Sequence, residues 1–227
     1  EDLAHVAVKN HENGLMNPKA HVHKKITVDD VLKSPVVASP LKLLDCCPFS
    51  DGASGAILCS EEFAKKSGRP YIEVIGSGRG ASPASVQGRE DITTIPSTVD
   101  AARQAYKMAG VTPKDIDFAE VHDCFTIAEI IDIEDLGFFP KGKAAHAVRD
   151  GATRLNGEIP RNPSGGLKSK GHPIGATGVG QVVEVFEQFT GKAGGRTVPN
   201  SEIALTHNFG ATGASAAVHI FKKVDKK

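Results

Sequence analysis

The stretch from Asn162 to Gly180, Asn-Pro-Ser-Gly-Gly-Leu-Lys-Ser-Lys-Gly-His-Pro-Ile-Gly-Ala-Thr-Gly-Val-Gly, constrains this chain more than any other. Gly165, Gly166, Gly171, Gly175, Gly178 and Gly180 crowd into it, with His172-Pro173 in the middle. Glycine tolerates positive φ and lets a bound molecule approach the backbone, so the composition suits contact better than packing. Downstream, Val179, Val182, Val183, Phe186 and Phe189 recur at helical spacing up to Gly191, which reads as a C-terminal cap. The loop therefore opens onto a helix N-terminus, where free N–H groups favour a developing negative charge. His172 is held at that mouth. The plainer reading is an ordinary tight strand-to-helix crossover, so the rest of the chain has to decide.

With 227 residues and 40% hydrophobic side chains, the chain can bury a proper core. Lysine plus arginine balance aspartate plus glutamate at 27 each, so no long-range field draws it toward nucleic acid or an anionic membrane. Cys46, Cys47, Cys59 and Cys124 form neither a C-x-x-C pair nor a disulfide framework, which fits thiols in a reducing cytoplasm. No signal segment or membrane-length apolar run is visible. The chain begins at Glu1 rather than Met, and is expected to start inside a longer gene product.

In order, residues 1–26 read as a polar surface loop whose histidines, His5, His11, His21 and His23, lack ligand spacing for a metal. Thr27, Asp29 and Asp30 cap a short helix that stops before Pro35. Residues 42–59 read as two buried strands about a Ser50-Asp51-Gly52 turn, and Ser60 to Lys66 as a surface helix closed by Gly68. Tyr71 to Ile75 is a strand, and Gly76 to Gly88 a Gly/Ser-rich loop. Ser97 opens a helix with Asp100 in a capping box, and Gly110 ends it. Thr112-Pro113 starts a one-turn helix before a strand at Asp117 to Val121.

That strand ends in His122-Asp123-Cys124-Phe125, and Thr126 with Glu129 reads as a second capping box for the next helix. Residues 137–161 are a long connection, Glu202 to His207 a strand, Asn208 to Gly213 a tight turn, and Ala214 to Phe221 a strand buried on both faces. The sum is an α/β fold, βαβαβαββ, with helices on both sides of a mixed five-stranded sheet. Three polar tips emerge at its loops: His122 with Cys124, His172, and Asn208 with Gly210. Ligands of open α/β sheets bind at such strand ends.

Cys and His are the pair that nucleophilic or acid–base chemistry needs near neutral pH, and Cys124 precedes a helix start that favours its thiolate. Amides at Phe209-Gly210 offer an oxyanion hole. A zinc site from His122 and Cys124 lacks further ligands, and a purely structural turn is the remaining alternative.

The runs His122-Asp123-Cys124-Phe125, Gly171-His172-Pro173 and His207-Asn208-Phe209-Gly210 resemble those of the thiolases, in particular the sterol-carrier-protein-type and archaeal branch. Ser50-Asp51-Gly52-Ala53 resembles the strand that closes that family's N-terminal half. The resemblance covers nearly the whole chain. It implies residues 1–38 as a remnant of the loop domain, 39–68 as the last strand and helix of the N-terminal half, and 69–227 as the C-terminal half. The implied reaction is reversible Claisen condensation and thiolysis of acyl-CoA, as in lipid or mevalonate metabolism, with coenzyme A as substrate or product and no bound cofactor or metal.

By the same resemblance Cys124 moves the α-proton, and His122 holds the water of the enolate oxyanion hole. His172 donates to that oxygen and activates the nucleophile, and the Gly210 amide completes the thioester oxyanion hole. Asn208, Gly166, Ser164 and Phe125 are the implied substrate-binding residues. A thiolase also needs a nucleophilic Cys in a Cys-Ser-Ser-Gly-like setting, which none of Cys46, Cys47 or Cys59 has. The chain is therefore expected to be a fragment, or one subunit of a homo- or hetero-oligomer, inactive without an N-terminal half or second subunit. An OB-fold zinc scaffold protein is a further partner the resemblance permits. The rival functions are a retro-aldol lyase acting on a CoA thioester and a non-catalytic scaffold or lipid-carrier subunit.

Overall fold

The chain opens on a helix, not a loop. In the computed structural model, which describes residues 1–224, helix α1 spans Asp2–Leu15. Ala4, Ala7 and Val8 fall on one helical face and pack with Ile26 and Val31, a periodicity that outweighs the polar composition. Lys9, Asn10, His11 and Asn13 are buried as well, each hydrogen-bonded to a distant part of the chain or, for His11, to the Lys24 carbonyl. Buried polar groups persist when they are partnered. Helix α2 (Val28–Lys33) begins as expected, Thr27 and Asp30 exchanging both bonds of a capping box.

Strands β1 (Val36–Ala38) and β2 (Leu41–Lys42) form a small antiparallel pair. Beyond it the two expected buried strands do not form. Leu43–Asp45 is a single 3₁₀ turn, and residues 51–60 run without regular structure and exposed. Extended chain becomes a strand only when a neighbouring strand satisfies its backbone over several residues, and among the described residues this segment meets only single bridges, Cys46 to Phe125 and Phe49 to His172. Phe49, Ile57 and Leu58 are 103%, 91% and 88% exposed as a result. Helix α3 (Glu61–Ser67) has its Ser60 cap and a left-handed Gly68, as expected.

The main layer follows as β3 (Ile72–Ala81), α4 (Pro96–Ala109), β4 (Phe118–Glu120), α5 (Thr126–Asp135), α6 (Ala144–Arg149), α7 (Gly166–Ser169), α8 (Thr177–Phe189), β5 (Ile203–Gly210) and β6 (Ser215–Lys223). The sheet order is β3-β6-β5-β4, with β4 and β5 parallel and the other pairs antiparallel. Among the described residues four strands form it, not five: the expected fifth is reduced to one parallel bridge between Ala119 and Arg161. Asn162, at φ 52°, then turns the chain away. Ala101, Ala105, Ile133, Val218 and Ile220 pack on one face of the sheet, and Val185 and Phe189 of α8 meet Phe118 and Phe221 on the other. Among the described residues no helix is long and apolar enough to cross a membrane.

Strand β3 runs through Gly76, Gly78 and Gly80, where the sequence reads as loop. A Cβ at these positions would lie 2.5, 2.0 and 1.9 Å from the carbonyl oxygens of Ala105, Ala101 and Ser97. The three glycines thus let α4 lie directly on the strand backbone. Helix α4 begins at Pro96, and Asp135 rather than Asp100 accepts its leading amide, Ile95 N, at 2.7 Å. Gly78→Ala should cost about 2–3 kcal/mol, because the obstacle is a helix backbone that cannot yield alone. A urea midpoint equal to that of the wild type would contradict this packing.

Candidate active site

The geometry of the site is set by a buried carboxylate. Asp123, in the turn after β4, accepts from Leu167 N at 2.7 Å and Lys168 N at 3.2 Å in the first turn of α7, and from Asn10 Nδ2 of α1 at 2.7 Å. One side chain therefore ties the strand exit to the glycine-rich loop. Gly166, at φ 59°, has no Cβ because that atom would lie 2.3 Å from the carboxylate. Glu129 lies behind it, bonded to Lys9 Nζ, Asn10 Nδ2 and Asn162 Nδ2. Burial first, then repulsion from Glu129, raises the Asp123 pKa. Thr126 and Glu129 do not form the expected capping box: the Thr126 hydroxyl donates to Asp45 Oδ1 at 2.9 Å, and Glu129 is spent on α1.

The clasp brings His122 and His172 together, their ring centroids 4.9 Å apart and nearly perpendicular. Phe209 closes on the His122 ring at 4.6 Å. A hydrogen-bond chain fixes the His122 tautomer. Gln181 Nε2 donates to the His207 carbonyl at 3.2 Å, Gln181 Oε1 accepts from Asn208 Nδ2 at 2.6 Å, and Asn208 Oδ1 faces His122 Nδ1 at 2.9 Å. His122 Nδ1 must therefore carry the proton, leaving Nε2 as an acceptor. The same logic holds for His172: Thr177 Oγ1 donates to Pro173 O at 3.0 Å, so it accepts the proton of His172 Nδ1 at 2.6 Å. Both imidazoles keep a basic Nε2.

Burial pushes His122 down to about 4, against the opposing effect of its Asn208 bond. It lowers His172 too, with Lys170 adding to the effect. Two neutral imidazoles at neutral pH follow. The His172 backbone is pinned by Phe49, with which it forms a parallel bridge, and by Ser50 Oγ, which accepts His172 N at 3.2 Å. A cleft of about 560 Å³ opens beside His172 between residues 49–54 and α8, lined by Ser50, Gly52, Pro173, Thr177 and Val183.

Cys124 is half-buried in the turn leading to α5, whose cap is Phe125. Its thiolate is not favoured there. Burial, then Asp132, Cys47 and Asp123, push the thiol well above its ordinary range, outweighing the one favourable backbone contact. Among the described residues the thiol has no hydrogen bond to either histidine. Phe125 is 41% exposed and pairs with Cys46, and Gly210 lies exposed at the end of β5 opposite Ser215. Two of the expected substrate-binding residues are withdrawn from the surface of this chain. Ser164 is fully buried, its hydroxyl and amide both donating to Glu120, and Gly166 is buried against Asp123. Their polar groups are consumed in positioning the loop.

Sequence reasoning missed Asp123, Asn10, Gln181 and Thr177 as the residues that orient the two imidazoles. Only the i, i+3, i+4 pattern of Ala4, Ala7 and Val8 hinted that α1 packs against the loop.

Residues 78–223 match the family described as thiolase C-terminal domain-like. The chain is 52% identical over 223 residues to an acetyl-CoA acetyltransferase of Methanothermobacter thermautotrophicus, covering 98% of this chain and 58% of that protein. It is 40% identical over 227 residues to rabbit (Oryctolagus cuniculus) sterol carrier protein 2, covering 98% and 41% respectively. The solved Ltp2-ChsH2(DUF35) aldolase superposes with a TM-score of 0.88 at 26% identity, over all of this chain and 59% of that one. The chain thus spans between 41% and 59% of the length of these relatives, and it belongs to the thiolase family.

Proposed function

We propose that this chain is the C-terminal part of an acyl-CoA acyltransferase that runs reversible Claisen condensation and thiolysis, its nucleophilic Cys supplied by sequence outside the chain. The observation that carries the reading is the pair of neutral imidazoles, each with Nδ1 engaged and a basic Nε2 left over. His172 Nε2 takes the proton of an attacking thiol, and the resulting imidazolium donates to the substrate oxygen. His122 Nε2 holds a water whose other hydrogen reaches the enolate oxygen, with Asn208 fixing the ring. The Gly210 amide stabilises the thioester oxyanion. Cys124 moves the α-proton, and a thiol pushed upward is a strong base once it has lost its proton. Phe125, exposed beside it, lines the acyl-CoA path.

The exposed apolar side chains Phe49, Ile57 and Leu58, and the cleft against α8, support a chain or segment that covers them when the enzyme is complete. Residues 1–38, 39–68 and 69–227 then serve as loop-domain remnant, closing segment and C-terminal half. The setting is cytoplasmic. Superposition on the aldolase favours one second reading, retro-aldol cleavage of a CoA thioester. CoA-dependent cleavage of acetoacetyl-CoA by the complete enzyme separates the two. Thiolysis to acetyl-CoA is expected; cleavage of a β-hydroxyacyl-CoA without added CoA overturns the acyltransferase reading, and no turnover with any partner leaves a scaffold.

A further inference from the structure

The turn that carries Cys124 is held against the segment that carries Cys47. Cys46 and Phe125 form an antiparallel bridge, and Cys47 N donates to Cys124 O at 2.9 Å. That register sets Cys47 directly opposite Cys124, and residues opposite one another in an antiparallel pair present their side chains on the same face. Cα atoms in such pairs lie about 4.5–5.5 Å apart, inside the span of about 4.4–6.8 Å that a disulfide bridges. Both thiols are free and half-buried. Cys47 is also among the groups that push the Cys124 thiol upward. The neighbouring Cys46 points elsewhere, its sulfur donating to Lys42 O at 3.4 Å.

We propose that Cys47 and Cys124 form a reversible cross-strand disulfide that removes the Cys124 sulfur from the acyl-CoA site. The inhibitory consequence rests on the acyltransferase reading; the bond itself does not. The oxidant is a low-molecular-weight disulfide, RSSR. The Cys47 thiolate attacks one of its sulfurs, forming a mixed disulfide and releasing RS⁻, which takes up the proton Cys47 gave up. The Cys124 thiolate then attacks the Cys47 sulfur and displaces the second RS⁻, which is protonated in turn. Two electrons pass from the cysteine pair to RSSR, one protein S–S bond forms, and two RSH leave. Because burial raises both thiols, the thiolate fraction is small at neutral pH and the exchange accelerates as pH rises.

Folded protein, purified reduced, is incubated with oxidised glutathione, alkylated, unfolded and mapped by mass spectrometry. The expected result is a fall from four free thiols to two, with a single linked peptide pair joining Cys47 to Cys124, reversed by dithiothreitol. Cys46→Ser should keep that link, and Cys47→Ser should abolish it. A Cys46–Cys47 link, a link through Cys59, or glutathione adducts alone would overturn the proposal even in the wild-type protein, where folding is not in question. Turnover is not read, so an enzyme that fails the acetoacetyl-CoA assay yet forms the link leaves this inference standing.

Discussion

Cys124→Ala in the complete enzyme is expected to lower acetyl-CoA condensation by about 10³-fold, the usual contribution of a positioned acid–base group, while acyl transfer to the nucleophilic Cys continues. On the proposed mechanism the two half-reactions part because only condensation requires removal of an α-proton, whereas acyl transfer moves a thiol proton, which that mechanism assigns to His172 Nε2. The tautomers matter here. With Nδ1 of His172 committed to Thr177 and that of His122 to Asn208, each ring has one open nitrogen, and neither alone can both hold the enolate oxygen and strip the carbon acid. The proposed mechanism therefore gives the α-proton to the thiolate form of Cys124, whose affinity for a proton burial has raised. The split is read from the burst of CoA release against steady-state acetoacetyl-CoA formation. Equal loss in both, or in neither, would reassign the proton to another group.

Asp123→Ala should destabilise the fold by about 4 kcal/mol, in the range for removing one partner of a buried, charged hydrogen-bond cluster. The substitution strips acceptors from Asn10 Nδ2, Leu167 N and Lys168 N, all inside the protein. Relief of repulsion with Glu129 offsets part of the cost, since that repulsion and burial already raise the Asp123 pKa. Asp123→Asn keeps the shape but turns a donor toward two amide donors, so it should rescue little. Urea denaturation followed by circular dichroism checks this. A loss under about 1 kcal/mol, the net worth of one ordinary hydrogen bond, would mean that the clasp does not hold the turn to α7.

What was legible in the sequence is local. The Thr27 and Asp30 box, the left-handed Gly68 and Gly110 caps, and the placement of His122 to Phe125 where a strand hands over to a helix follow from residues within a few positions of one another. The misreadings have distant causes. Lys9 and Asn10 look like solvent-facing residues until Glu129 and Asp123, 120 and 113 positions away, are placed against them. Gly76, Gly78 and Gly80 look like a loop because their purpose lies in the backbone of α4. Residues 42–59 have the composition of strands, but composition cannot supply the neighbour a strand needs. The candidate site divides the same way: the motifs place His122, His172 and Asn208, whereas Gln181 and Thr177, which set the tautomers, gave no signal above ordinary helix residues.

The central claim is that His122 and His172 face one acyl-CoA site as neutral rings with Nε2 open. Imidazole ¹⁵N NMR of the complete enzyme measures it directly. His122 should remain the Nδ1-protonated neutral tautomer through pH 6 and titrate near pH 4, and saturating acetyl-CoA should move the Nε2 resonances of both rings together. A His122 that titrates near 6.5, or an acyl-CoA response confined to one of the two rings, would contradict it.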